Sequence, residues 1–315
     1  MEAYSFFLND AGRVRSGWRL GLFVLTFVIL LFLLGTVGRV LFVIGDLLHI
    51  PSTPYLENIV FRLIFLAAAI IAGWICQYWL EGLPWRALGL YLHPGWLRDL
   101  LIGSLIGALS LAIAALVAFV AGGLRFALSE NVMLFVVARG LVTTAFLLMF
   151  AALAEEALFR GYPLQTLTRA HLTTLGVLLT SVPFGLVHLR NPNVAAGFTF
   201  TNTALAGVWL AAAYLRTRSL WFPLGVHWSW NWAQGAIFGV PVSGLVVSDH
   251  PLMQSIDKGP AWLTGGSYGL EGGLCCTIAL LLSTIFIWRT GLVSATPELL
   301  KLTSEENPAE PVDVR

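Results

Sequence analysis

Apolar residues run along this chain in blocks of roughly 20, the length a helix needs to cross the hydrocarbon of a bilayer, and short polar stretches separate them. Eight segments fit: 18–44, 58–80, 99–121, 132 to about 162, 172–189, 198–215, 221–239 and 271–288. The pattern predicts an all-α polytopic membrane protein, a bundle of about eight transmembrane helices, with a 1–17 N-terminal segment and a 293–315 tail flanking a membrane domain over 18–292. The fifth segment contains Pro183, which is placed to break its helix.

Composition agrees, since 57% of residues are hydrophobic, 11% are charged and the mean hydropathy is +0.81. The apolar run after Arg13, Arg15 and Arg19 is too long for a signal-peptide core and no small-residue cleavage site follows, so it is read as an anchor. In an eight-span arrangement with the N-terminus inside, Arg13, Arg15, Arg19, Arg86, Arg98, Arg160, Arg169, Arg216, Arg218, Arg289, Lys301 and Arg315 fall on the inner side, and Arg125, Arg190 and Lys258 on the outer. Positive loops stay in the cytoplasm, so both termini are expected there. Short loops and the lack of organelle signals point to a bacterial inner membrane. A net charge of +1 gives no basis for a nucleic-acid partner. Cys76, Cys275 and Cys276 lie in apolar spans without ligand-like spacing and read as buried, inert thiols.

Two stretches fall outside this pattern. The outer segment 240–270 is long and glycine-rich, which suits a lid or a packed re-entrant turn, and Glu271 beyond it is expected to cap or solvate the start of the last helix. The polar, proline-interrupted 293–315 tail reads as disordered and cytoplasmic.

Ionisable residues inside a span cost about 2.5–3.5 kcal/mol each at mid-bilayer, yet here they cluster. In "AEEALFRGY", 154–162, Glu156 and Arg160 are four apart and share a helix face in the favourable order, acid before base. Glu155 is turned about 100° away, with Phe159 one turn below it, and points into the bundle. A carboxylate without a cation in low dielectric is suited to take a proton near neutral pH, the requirement for a general base. His188 closes "FGLVH", while His227 and Asn231 in "HWSWN" are four apart on one face. Taken alone, each fits an ordinary interhelical contact; a carboxylate, two imidazoles and an amide on three helices together point to a shared water-filled site.

No serine or cysteine is placed as an activated nucleophile, and Ser229 lies about 200° around its helix from His227. Water is left as the nucleophile. Glu155 helped by His188 can deprotonate it, and His227 and Asn231 can donate to the oxyanion of a tetrahedral intermediate. A zinc version with Glu155, His188 and His227 as ligands fits the open catalytic pattern of three protein ligands, although HExxH is absent.

The motifs "EEALFR", "FGLVH" and "HWSWN" resemble, in order, the EExxxR, FxxxH and HxxxN motifs of the CPBP (ABI) intramembrane proteases, which include the type II CAAX prenyl endopeptidases; the resemblance runs over about 138–234. It implies an eight-helix protein with a cytoplasm-facing cavity and a glutamate-dependent endopeptidase. Glu155, His188, His227 and Asn231 would be its catalytic residues, Glu156 and Arg160 their support, with no metal cofactor. The partners would be the lipid bilayer and a membrane protein or peptide substrate, prenylated or not. Two other classes stay open: a proton-coupled transporter, which predicts an internal repeat not seen here, and a non-proteolytic membrane scaffold or immunity protein.

Overall fold

The computed structural model describes residues 6–9, 12–50, 52–129, 133–194 and 197–303. Among the described residues the fold is all-α apart from one two-stranded ribbon, and each of the eight predicted segments carries a helix. Those eight are α1 (Ser16–Leu47), α2 (Pro54–Glu81), α3 (Trp96–Val120), α4 (Leu134–Phe159), α6 (Thr173–His188), α7 (Phe198–Thr217), α8 (Trp221–Trp232) and α9 (Leu274–Arg289); the short helices α5 (Tyr162–Arg169) and α10 (Pro297–Thr303) are additional. Among the described residues, five helical runs are long and apolar enough to cross a membrane, those of α1, α2, α3, α7 and the run Leu134–Arg169; α6 and α9 are shorter and apolar. This is a polytopic membrane protein. The three cysteines are free and buried.

Contacts divide the chain into two compact units, Met1–Tyr91 with Phe150–Gly176 and Thr296–Arg315, and Leu92–Met149 with Val177–Ala295. The first unit has an aromatic and alanine core in which Phe23, Phe27, Ala68, Ala69 and Ala72 pack with Ala154, Ala157 and Tyr162. The rings of Phe23 and Tyr162 stack with centroids 5.6 Å apart. Beneath it lies an ion cluster: Arg169 grips Glu81 with two hydrogen bonds, 2.6 and 3.1 Å, and Arg19 reaches the same carboxylate at 3.6 Å. Both arginines are fully buried.

In the second unit α8 lies against α3. The contact is possible because "GSLIG", 103–107, presents two glycines four apart, a small-residue stripe that lets helix backbones meet. A Cβ on Gly103 would come within 2.3 Å of the Phe222 carbonyl oxygen, and one on Gly107 within 2.1 Å of that of Val226. A second junction joins α3, α7 and α9, where Trp209 Nε1 donates to Ser283 Oγ at 2.8 Å and the Ser283 hydroxyl in turn donates to Ser110 Oγ, also at 2.8 Å, leaving the Ser110 proton to the Ile106 carbonyl.

The ribbon pairs β1 (Leu124–Leu128) antiparallel with β2 (Met253–Asp257), Phe126 opposite Ser255. No strand was expected in this chain. It secures the long glycine-rich segment, which is packed rather than open: Tyr268 is fully buried, and burial followed by the charge of Glu271 pushes its phenol up to about 12.

Three expectations need correction. Pro183 does not break its helix but sits within the continuous α6. Glu271 does not cap the last helix. Its carboxylate accepts from the Ser243 backbone N–H, from Ser243 Oγ at 2.8 Å and from Trp230 Nε1 at 3.2 Å, holding the loop to α8, while Gly273 is the residue that precedes α9. The supposedly disordered tail forms α10, with Leu299 and Thr303 buried; residues 304–315 lie outside the described ones.

Candidate active site

Glu155 and Glu156 sit in the last turn of α4, which stops at Phe159 because the following Arg160-Gly161 pair forms a turn. Gly161 is obligatory there, since a Cβ would meet the Ala157 carbonyl oxygen at 2.2 Å, and Pro163 then starts α5 in the first turn, where a missing N–H is harmless. The segment predicted to run from 132 to about 162 therefore ends as a helix at Phe159, and Tyr162 opens the next one. Glu156 Oε1 accepts from Arg160 Nη1 at 3.1 Å, with both side chains fully buried, as the spacing of four predicts. The Arg160 guanidinium also lies 5.8 Å from the Phe159 ring centre. Glu155, one position back, is partly exposed.

His188 is the last residue of α6 and is partly exposed. Its Nδ1 is 2.7 Å from the Phe184 carbonyl oxygen. A carbonyl can only accept, so in the neutral ring Nδ1 carries the proton and Nε2 presents a lone pair, the tautomer a general base needs. Phe184 joins the two histidines: its ring centre lies 4.7 Å from that of His188 and 6.1 Å, edge to face, from that of His227.

His227 is buried and Asn231 half-buried on α8, and the helix opens into a π turn at Ala233–Ile237 directly after the motif. Such turns are frequent at functional sites. Rotation of α8 is fixed by tryptophans. Trp228 Nε1 donates to the Ala145 carbonyl at 2.9 Å and Trp232 Nε1 to the Leu141 carbonyl at 3.0 Å, the two rings stacked 5.9 Å apart. These residues repeat the four-residue spacing of His227 and Asn231 one position later. That repeat, visible in "HWSWNW", is the signal by which the orienting pair could have been found.

The predicted residues divide between the units. Glu155, Glu156 and Arg160 belong to the first, and His188, His227 and Asn231 to the second. Within each unit the pairings expected from sequence are present: Glu156 with Arg160, and His227 with Asn231 on one face. Phe184 between the histidines was not anticipated. Among the described residues no group of three or more His, Cys, Asp or Glu side chains is disposed to hold a metal ion.

All six residues lie in one contiguous stretch of the sequence. Residues 137–233 match the Rce1-like family. Its description is type II CAAX prenyl endopeptidase Rce1-like, and the matched stretch, under a third of the chain, spans α4 through α8. The Rce1-like match relates this segment to CAAX-type membrane proteases and coincides with the limits expected from the three motifs. No curated protein and no solved structure matches the chain.

Proposed function

We propose that this protein is an intramembrane endopeptidase of the CAAX type, hydrolysing a peptide bond in a membrane-associated or lipidated protein or peptide. The observation that carries this reading is the Rce1-like match, because it encloses every residue that the chemistry requires. Water is the nucleophile. Glu155 takes its proton, with His188 Nε2 accepting a hydrogen bond from the same water, and the hydroxide attacks the carbonyl carbon. His227 and the Asn231 amide donate to the resulting oxyanion. Glu155 then passes the proton to the amide nitrogen as the C–N bond breaks, which releases a carboxylic acid and an amine. The Glu156–Arg160 pair fixes the turn after α4 and so positions Glu155. The charge bias of the loops supports cytoplasmic termini in a bacterial inner membrane, with the lipid bilayer and a membrane peptide as partners.

The test is cleavage of a membrane peptide library by purified protein, comparing wild type with Glu155→Gln, each with and without chelator. We expect Glu155→Gln to lower cleavage by about 10²–10⁴-fold and chelator to change nothing. Equal cleavage by both proteins would remove Glu155 as the base, and loss on chelation would restore a metal. His227→Ala and Asn231→Ala should lower kcat, since the oxyanion exists only in the transition state; a rise in KM alone would move them to substrate binding.

A further inference from the structure

Glu271 and the turn at Ser243 and Gly244 lie outside the 137–233 stretch that matches the Rce1-like family, yet together they touch the elements carrying both motif histidines. On one side the loop after α6 reaches this turn twice. Asn191 Nδ2 donates to the Ser243 carbonyl and Asn193 Nδ2 to the Gly244 carbonyl, each at 3.1 Å, from positions just beyond His188. On the other side Glu271 accepts from Ser243 through Oε2 and from buried Trp230 Nε1 through Oε1, which ties the same turn to α8 between His227 and Asn231. The path from one histidine to the other thus runs through two asparagines, one turn, one carboxylate and one indole, all within the second unit.

This construction is more rigid than holding a loop requires. Ser243 has a φ of 47°, left-handed without being glycine, a conformation that costs energy, persists only where its surroundings over-determine it and gathers at functional sites. Glu271 supplies that constraint by accepting from both the backbone N–H and the hydroxyl of Ser243. Gly244 follows with a φ of 83°, and a Cβ there would collide with the Pro192 carbonyl oxygen, so the turn seats directly on the loop after α6. The carboxylate is anchored from behind as well. Asn202 Nδ2 on α7 donates to the Glu271 and Gly273 carbonyls at 2.9 and 2.8 Å, while its Oδ1 accepts from Thr277 Oγ1 on α9 at 2.6 Å. Three donors converge on one acceptor-only group, a role that an amide at this position fills only in part.

We infer that Glu271 is a positioning residue for the proposed peptide-bond hydrolysis: by gripping Ser243 and Trp230 it sets the spacing between His188, which holds the water, and His227 with Asn231, which hold the oxyanion. The inference rests on the proteolytic reading, so the experiment carries Glu155→Gln beside wild type as the test of that reading. In Glu271→Gln the amide NH₂ must face either Ser243 or Trp230, donor against donor. Its kcat should fall by up to about 100-fold with KM nearly unchanged, the signature of misplaced groups. Trp230→Phe should cost a similar factor, and the double variant no more than either single one, because both break the same link. Ser255→Ala removes a 2.8 Å bond to the Gly239 carbonyl elsewhere in the same long segment and should leave kcat as it is. A lower unfolding temperature with unchanged kcat per folded molecule in Glu271→Gln, or an equal fall in Ser255→Ala, would overturn the assignment; so would multiplying losses in the double variant. If wild type and Glu155→Gln do not differ in cleavage, the proteolytic reading fails, and the link between the histidines is then judged without turnover, by nitrogen NMR of ring-labelled histidine in detergent. The His188 and His227 resonances should both move in Glu271→Gln and stay in place in Ser255→Ala. Movement of one ring alone, or of neither, would overturn the link itself.

Discussion

Glu81 in the first unit is held by two guanidiniums, Arg169 at 2.6 Å and Arg19 at 3.6 Å, whereas Ser283 in the second unit joins three helices through a hydroxyl and an indole with no charge among them. Both junctions are buried, yet they differ in what breaking them costs. Removing one member of a buried ion cluster strands opposite charges in low dielectric, while removing a neutral partner strands at most one N–H or O–H. The Glu81 junction therefore tolerates little change, whereas the Ser283 junction is made of weaker bonds whose value lies in direction.

The sharpest way to break this contrast is to delete one acceptor from each junction. Glu81→Gln leaves Arg169 and Arg19 without their carboxylate and should destabilise the protein by about 3–5 kcal/mol. Ser283→Ala leaves the Trp209 N–H without its acceptor, a loss of about 1–3 kcal/mol. Ser110 keeps its 2.7 Å bond to the Ile106 carbonyl in that variant. Thermal unfolding in one detergent compares the two, and equal losses would show that the ion cluster is no stronger than the hydroxyl node.

A smaller effect separates packing from polarity within the second unit. Gly107→Ala puts a methyl where the Val226 carbonyl oxygen now stands 2.1 Å from the ideal Cβ position. The helices α3 and α8 must part, at about 1–3 kcal/mol, and the displaced backbone is that of the residue before His227. Cleavage should fall more than stability alone explains. Measuring unfolding and cleavage on the same preparation checks this, and a loss of stability with unchanged turnover per folded molecule would detach the glycine stripe from the candidate site.

Much of this was readable in the chain because hydropathy and spacing of four are local signals. The eight helical segments, the Glu156–Arg160 pair and the shared face of His227 and Asn231 all follow from residues close in sequence. The "GSLIG" stripe is equally local. What could not be read depends on distance along the chain. Arg169 and Glu81 are 88 positions apart, and neither residue's neighbours carry a periodic sign of the other. Glu271 was misread for the same reason: three residues from a helix start it resembles a cap, but its partner Ser243 lies 28 positions away in the chain. The β1–β2 ribbon escaped because each strand is five residues long and sits beside stronger helical signals.

The smallest predicted effect on stability tests whether direction is what the second unit's hydrogen bonds provide. Trp228→Phe keeps most of the aromatic bulk and the stack on Trp232 but removes the N–H that donates to the Ala145 carbonyl. That carbonyl lies within α4 and retains its place in the helix ladder, so no acceptor is stranded and the cost should be about 1 kcal/mol. Its consequence for turnover should be larger, because the indole bond is one of two that set the rotation of α8 and hence the aim of His227 and Asn231. A misaimed oxyanion donor lowers kcat and leaves KM nearly alone. Cleavage kinetics on Trp228→Phe and Trp232→Phe decide the matter: a fall in kcat in both, with unfolding temperatures close to wild type, assigns the pair to orientation. Unchanged kcat would mean that the glycine contact with α3 is enough to fix α8.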